Sequence, residues 1–305
     1  MSTKVVVSSG KKLSKRLSSL LAAAGFVLPA ILFTYIFEYY PMVNGIFHSF
    51  YRWNGSNIEI FVGFENFKEI LKDSVFWTSV RNMLFFLCAS IILMLPTLVT
   101  SIILFRIKNS RMQYLYRIVL CIPMIIPGIV VMLLWQFIYN PQFGLLNQLL
   151  SSLGLQHLQQ LWLGDPSLVK WCLIFIGFPW VGSLALLIYL AGLQNLDSSI
   201  WDAAAIDGAG PIQKALSIEI PLMKGQIKLN LINVLAGSVT GYSLQLIVTG
   251  GGPGFASFVP GLYMYQHAFG SASSDYGYAS AVGLLLFLIA IIISLLSMKF
   301  IRSED

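Results

Sequence analysis

The chain has 305 residues, of which 57% are hydrophobic and only 10% are Asp, Glu, Lys or Arg. That balance excludes an ordinary soluble domain and points to a polytopic membrane protein. The net charge of +6 is no sign of nucleic-acid binding, because where the basic residues fall along an apolar chain matters more than their sum.

Residues 1–18 are polar and carry Lys11, Lys12, Lys15 and Arg16, so they read as a cytoplasmic N-terminal tail ahead of a membrane domain over 19–305. The first apolar run continues well past Ala22-Ala23-Ala24, which favours a retained span over a cleaved signal peptide. At about 1.5 Å per residue, a hydrocarbon core of about 30 Å needs roughly 20 apolar residues. On that yardstick six transmembrane helices are predicted, near 20–40, 82–105, 115–139, 168–193, 227–248 and 278–300, and the fold class is all-α. Prolines 96, 123, 127 and 179 lie inside or near span ends, where kinks are tolerable. Placing the N-terminus inside leaves only Arg52, Lys68, Lys72, Arg81 and Lys170 outside among 19 basic residues. The same bias puts both termini and the segment 197–224 in the cytoplasm. Cys88, Cys121 and Cys172 lie in or beside apolar runs and read as small buried hydrophobes, and His48, His157 and His267 are scattered, so no metal site is expected.

Between the fourth and fifth spans, Asp197 to Lys224 carries helix signals of its own. Ser198 or Ser199 is a predicted N-cap, Asp207-Gly208 a predicted stop, Pro211 the first residue of a second helical piece and Pro221 its end. A short helix with a smooth alanine face and one protruding Trp201 suits a groove on another protein. The alternative is an amphipathic connector lying on the membrane surface.

The fifth span places Asn230, Asn233, Gly237, Gly241 and Gln245 at steps of three and four, which is one helix face. Leu231, Ile232, Leu235 and Val239 fall mainly on other faces, where they can meet lipid. Uncharged hydrogen-bonding side chains inside a membrane face a bundle interior or a watery cavity. Amides and hydroxyls also suit a sugar, whose hydroxyls both donate and accept. The candidate substrate path is Asn233, Gly241, Tyr242, Ser243 and Gln245, with Trp180 and Tyr189 as aromatic surfaces. Helix–helix adhesion is the competing role, chiefly for Asn230, Asn233 and Gly237. The outer loop from Thr249 to Ser257 is either a flexible flap or a structured finger. No catalytic constellation and no phosphate-cradling Gly-Lys-Ser/Thr motif is present, so the chain is not expected to be an enzyme or to bind a cofactor.

Asp202-Ala203-Ala204, Gly208 and Ile218-Glu219-Ile220-Pro221 resemble the EAA loop of ABC importer permeases, with Asp202 in place of Glu and Ile220 in place of Leu. Val62-Gly63-Phe64-Glu65-Asn66-Phe67, Gly144-Leu145-Leu146-Asn147 and Thr249-Gly250-Gly251-Gly252-Pro253 are similar to outer elements of the carbohydrate-type members, in the same order. The resemblance implies that 198–217 is a coupling helix seated in a cytoplasmic ATPase through Trp201, Asp202, Ala203, Ala204, Asp207, Gly208 and Ala209. It implies ATP and Mg in that partner, two ATPase subunits, a second homologous permease subunit and an extracellular sugar-binding protein touching Thr249, Gly251, Gly252 and Pro253. The expected setting is the bacterial plasma membrane, with import of a sugar, an oligosaccharide, and no nucleic acid. The alternatives are an ion-coupled secondary transporter, which would keep an ionisable residue in mid-membrane, and an ABC permease for a non-sugar solute.

Overall fold

In a computed structural model, the structure describes residue 21 and residues 24–270 and 274–300; the tail expected over 1–18 lies outside them. Helix α1 (Ala24–His48) is long and apolar enough to cross a bilayer. A two-stranded antiparallel ribbon, β1 (Tyr51–Trp53) and β2 (Glu59–Phe61), follows with Arg52 opposite Ile60, a small addition to a mostly helical fold. Short α2 (Glu65–Lys72) leads to α3 (Ser74–Phe105). At 32 residues α3 is about 48 Å long, well over the bilayer core. Asp73 starts it, its side chain accepting from Val75 N at 2.8 Å. A slight break at Leu93 separates Ser74–Ile92 from Met94–Phe105, just ahead of Pro96, whose missing N–H and ring a continuous ladder would not accommodate.

Helix α4 (Ser110–Ile125) meets α5 (Gly128–Ile138) at 86°, with Pro123 and Pro127 at the bend. Helix α6 (Leu145–Ser152) is followed by α7 (Val169–Phe175) and α8 (Ser183–Gln194). The stretch expected as a single span over 168–193 is therefore two helices, divided where Pro179 lacks a donor and Trp180 takes φ 57. Helix α9 (Ser198–Ile206) and α10 (residues 211–222) form a hairpin. Helix α11 (Lys224–Thr240) bends by 50° into α12 (Ser243–Thr249), which interrupts the expected fifth-span stripe at Gly241. Helix α13 (Pro260–Phe269) precedes α14 (Tyr276–Phe300).

Among the described residues, three helices can cross a membrane by length and composition, or up to five if each bent pair counts as one. The main core joins α2, α3, α11, α13 and α14 through Ile70, Phe76, Met83, Val239, Leu262 and Val282. Val239 and Leu235 are buried within the chain, so they are core residues rather than lipid contacts. A second cluster sets Leu98 and Ile102 of α3 against Tyr189 and Leu193 of α8, with Met223. Cys172 is buried, whereas Cys88 is exposed on this single chain.

Two π-helical turns share one cause. Tyr35–Tyr39 and Ala215–Glu219 each close with an N–H five residues on, Tyr40 N to Tyr35 O and Ile220 N to Ala215 O, and the next residue is Pro41 or Pro221. Widening the turn ahead of the proline frees the carbonyl its ring would strike. Pro221 consequently sits within α10 instead of ending it; the helix stops at Leu222.

Candidate functional site: a polar cavity and a helical hairpin held by α3

Three loops are tied to polar residues spaced along α3. Near its start, Asn82 Nδ2 donates to the carbonyls of Phe255 and Phe258, both at 2.9 Å. Lys170 Nζ donates to Asn82 Oδ1 at 3.2 Å, which fixes the amide's orientation. Midway, Thr97 Oγ1 donates to Trp180 O at 3.0 Å and accepts from Gly182 N at 3.1 Å, so one hydroxyl staples the link between α7 and α8. At its C-terminal end, Arg106 reaches the hairpin. Asn82 and Thr97 are buried, and each satisfies backbone groups that a membrane interior would otherwise leave unpaired.

The middle staple shapes a cavity of about 710 Å³ between α3, α8, α11 and the 177–182 link. Ser90, Thr97, Trp180, Ser183, Tyr189, Asn230 and Asn233 supply its polar and aromatic lining, and no Asp, Glu, Lys, Arg or His lines it. The Trp180 indole N–H is committed to Ile174 O at 2.9 Å, so the ring offers a face rather than a donor. Asn230 is buried, its amide reaching Ala185 O at 3.5 Å, whereas Asn233 is exposed toward the cavity. Trp180, Tyr189 and Asn233 of the expected path are thus brought together. The others are not. Gln245 is buried within the chain, Gly241 and Ser243 flank the α11–α12 bend, and Tyr242 stacks on Tyr265 in a separate apolar groove beside α1 and α14.

The loop from Thr249 to Ser257 is a structured finger. Thr249 and Ser257 hydroxyls lie 2.7 Å apart, Ser257 Oγ donates to Gly252 O at 2.8 Å, and Gly251 N donates to Thr249 Oγ1 at 3.2 Å. Gly251 is buried at φ 89, while Phe255, at φ 64 and 46% exposed, protrudes near the apex. Among the residues expected to meet a binding protein, Thr249, Gly252 and Pro253 are partly exposed. A second cavity of about 430 Å³, lined by Gln136, Asn140, Thr249 and Gly250, adjoins the loop.

In the hairpin, Asp197 rather than either serine is the N-cap, its carboxylate accepting from Ser199 N at 2.8 Å. Hydrogen bonds from the Ser199 backbone and then its hydroxyl hold that carboxyl below the usual range. The C-terminus closes as a Schellman turn, with Ala209 N on Ala204 O at 3.0 Å and Gly208 N on Ala205 O at 3.2 Å around Gly208 at φ 67. Trp201 is half-buried with its ring 5.5 Å from that of Phe105, and Ala204 is 4% exposed; both face their own chain. Asp202, Ala203, Asp207 and Gly208 face outward. So do Ile206, 87% exposed, and Ile212, 75% exposed. Two such isoleucines on a polar connection are the signal the sequence offered and the residue pattern centred on Trp201 obscured.

A bent-helix membrane protein with a charge-free polar cavity and an apolar-tipped hairpin is built as a solute transporter. The chain belongs to the family described as the binding-protein-dependent transport system inner membrane component, whose profile matches residues 106–303. It is 34% identical over 282 residues to the Probable ABC transporter permease protein YurN of Bacillus subtilis (strain 168), covering 91% of this chain and 95% of that one. It is 32% identical over 281 residues to the multiple sugar-binding transport system permease protein MsmF of Streptococcus mutans, covering 90% and 93%. The fold is that of a chain in a crystal structure of a bacterial ABC transporter involved in import of the acidic polysaccharide alginate, with a TM-score of 0.81 at 20% identity over 95% of this chain and 98% of that one.

Proposed function

We propose that this chain is the membrane-spanning subunit of an ATP-driven importer that carries a sugar, an oligosaccharide, across the bacterial plasma membrane. Reading each bent pair and the divided 168–193 stretch as one span gives six, with both termini and the α9–α10 hairpin in the cytoplasm, as the basic residues favour. The observation that carries the reading is the 710 Å³ cavity. Hydroxyls and an amide beside the faces of Trp180 and Tyr189 are what a polyhydroxylated ring needs. The absence of an ionisable Asp, Glu, Lys, Arg or His in its lining speaks against ion coupling. Relatives named for multiple sugars, diacetylchitobiose and arabinooligosaccharides support the same cargo class.

The outward residues Ala203, Ile206, Gly208 and Ile212 form the surface on which one of two ATPase subunits docks. Hydrolysis of ATP with Mg takes place there, not in this chain, and closure of the ATPase pair drives the hairpin. A second permease subunit completes the passage. An extracellular sugar-binding protein delivers cargo to the finger at 249–257; one structural neighbour was solved with an alginate pentasaccharide-bound periplasmic protein.

The test uses the assembled complex in proteoliposomes. Uptake of an oligosaccharide should require ATP, and Ile206→Glu, at a site 87% exposed, should leave membrane abundance unchanged while stripping the ATPase during purification. Uptake driven by an ion gradient without ATP, or an ATPase that stays bound to the variant with normal uptake, contradicts the proposal.

A further inference from the structure

Adjacent residues at the cytoplasmic end of α3 hold both arms of the hairpin. Phe105 meets Trp201 of α9. Arg106 grips α10 in three places: Nε to Glu219 Oε1 at 2.9 Å, Nη2 to Glu219 Oε2 at 2.7 Å, and Nη2 to Pro211 O at 2.8 Å. The Glu219 side chain is 1% exposed and that of Arg106 is 31% exposed. A two-pronged guanidinium–carboxylate pair fixes angle as well as distance, which a single packed side chain does not. The π turn Ala215–Glu219 turns Glu219 inward to meet it. Arg106 also caps the last turn of α3, where a positive charge is favoured.

The same helix borders the cavity through Ser90, Met94 and Thr97. Thr97 lies nine residues from Arg106, about 14 Å along the helix axis, and it carries the Trp180 link. A displacement of α10 therefore has a stiff, directional route to the cavity wall through Glu219, Arg106, the inner half of α3, Thr97 and Trp180, beside the direct run of α10 through buried Met223 into α11.

We propose that Arg106 and Glu219 are positioning residues that convert movement of the docked hairpin into movement of α3, so that ATP use and sugar passage stay linked. This rests on the importer reading above. It differs from a purely structural role in one respect: without the pair, the protein folds and binds its ATPase but hydrolysis and transport come apart.

Three variants of the assembled complex in proteoliposomes test it, scored for membrane abundance, ATPase co-purification, ATP hydrolysis and sugar uptake. Arg106→Gln strands a buried carboxylate and should be the most damaging to abundance. Arg106→Lys keeps charge but cannot span both oxygens and Pro211 O. The double variant Arg106→Met with Glu219→Met removes the pair without leaving a lone buried charge, a change folds commonly tolerate. The double variant should keep abundance and ATPase binding within about twofold and lose uptake about tenfold or more, a size usual for lost coupling between sites. ATP hydrolysed per sugar should rise accordingly. Arg106→Lys should fall between it and the unaltered chain. Uptake that falls only in step with abundance, or a double variant with an unchanged ATP-to-sugar ratio, overturns the proposal and leaves the importer reading intact. A complex of the unaltered chain that shows no ATP-dependent uptake overturns both.

Discussion

The 249–257 finger and the α9–α10 hairpin hang from opposite halves of α3, and each turns on a glycine with positive φ. The surroundings of those glycines differ. At Gly251, an added Cβ would collide with the Phe258 ring and meet Leu262 Cδ2 at 3.0 Å. Both neighbours are sealed in the core, at 2% and 0% exposed. At Gly208 nothing lies within 4 Å of the added atom. The α3 attachments differ too: Asn82 holds the finger by neutral hydrogen bonds to main-chain carbonyls, and Arg106 holds the hairpin by a charged pair. The finger is immobilised by its own packing, and the hairpin is left free on its outward side with one strong handle inward. Such an arrangement suits a part that must keep its shape at one face and a part that must move at the other.

Gly251→Ala should break the finger most severely. It combines a backbone conformation that costs an L-residue about 1–2 kcal/mol with overpacking of a core that cannot yield, for a total near 3 kcal/mol or more. Thermal unfolding of the purified protein should show the loss, with uptake falling alongside it. Asn82→Ala comes next. It leaves the carbonyls of Phe255 and Phe258 without their buried donor and Lys170 without its acceptor, a cost of about 2 kcal/mol. Because Phe255 sits at φ 64, the finger should loosen first, and exchange of the 255–258 amides should rise more than that of α3. Equal exchange across both would mean that Asn82 supports the helix bundle generally, and the contrast between the two ends would lose its basis.

Much of this architecture was legible in the chain. Apolar runs located the long helices, Asp207-Gly208 located the hairpin turn, and Trp180, Tyr189 and Asn233, singled out for their chemistry, line one cavity. What escaped was partnership across distance. Asn82, Thr97 and Arg106 look like incidental polar residues in or beside an apolar run, and their partners are main-chain carbonyls or a glutamate far along the chain. A polar residue inside such a run does announce an interior partner, but not which one. The fifth-span stripe failed for a related reason. Its spacing assumed one straight helix through Gly241, while the chain bends there by 50°, sending Tyr242 and Asn233 into different grooves. Trp201 was read as protruding because a large aromatic on a short helix looks like an anchor, and its ring lies against Phe105.

The mildest change to the fold separates shape from contact at the hairpin. Gly208→Val has open space around it, so its cost is confined to holding positive φ at the helix end, about 2 kcal/mol for a β-branched residue. The Schellman bonds from Ala209 and Gly208 to Ala204 and Ala205 can persist, and Arg106 still secures Glu219. Membrane abundance should therefore stay close to that of the unaltered protein, and thermal stability should fall clearly less than in Gly251→Ala. Uptake should nonetheless fall sharply, because two methyls now stand on the face proposed to meet the ATPase, beside Ile206 and Ile212. Normal uptake by Gly208→Val would show that this face is not docked, while a stability loss as large as that of Gly251→Ala would show that the hairpin is packed as tightly as the finger. Either result removes the asymmetry between the two ends of α3.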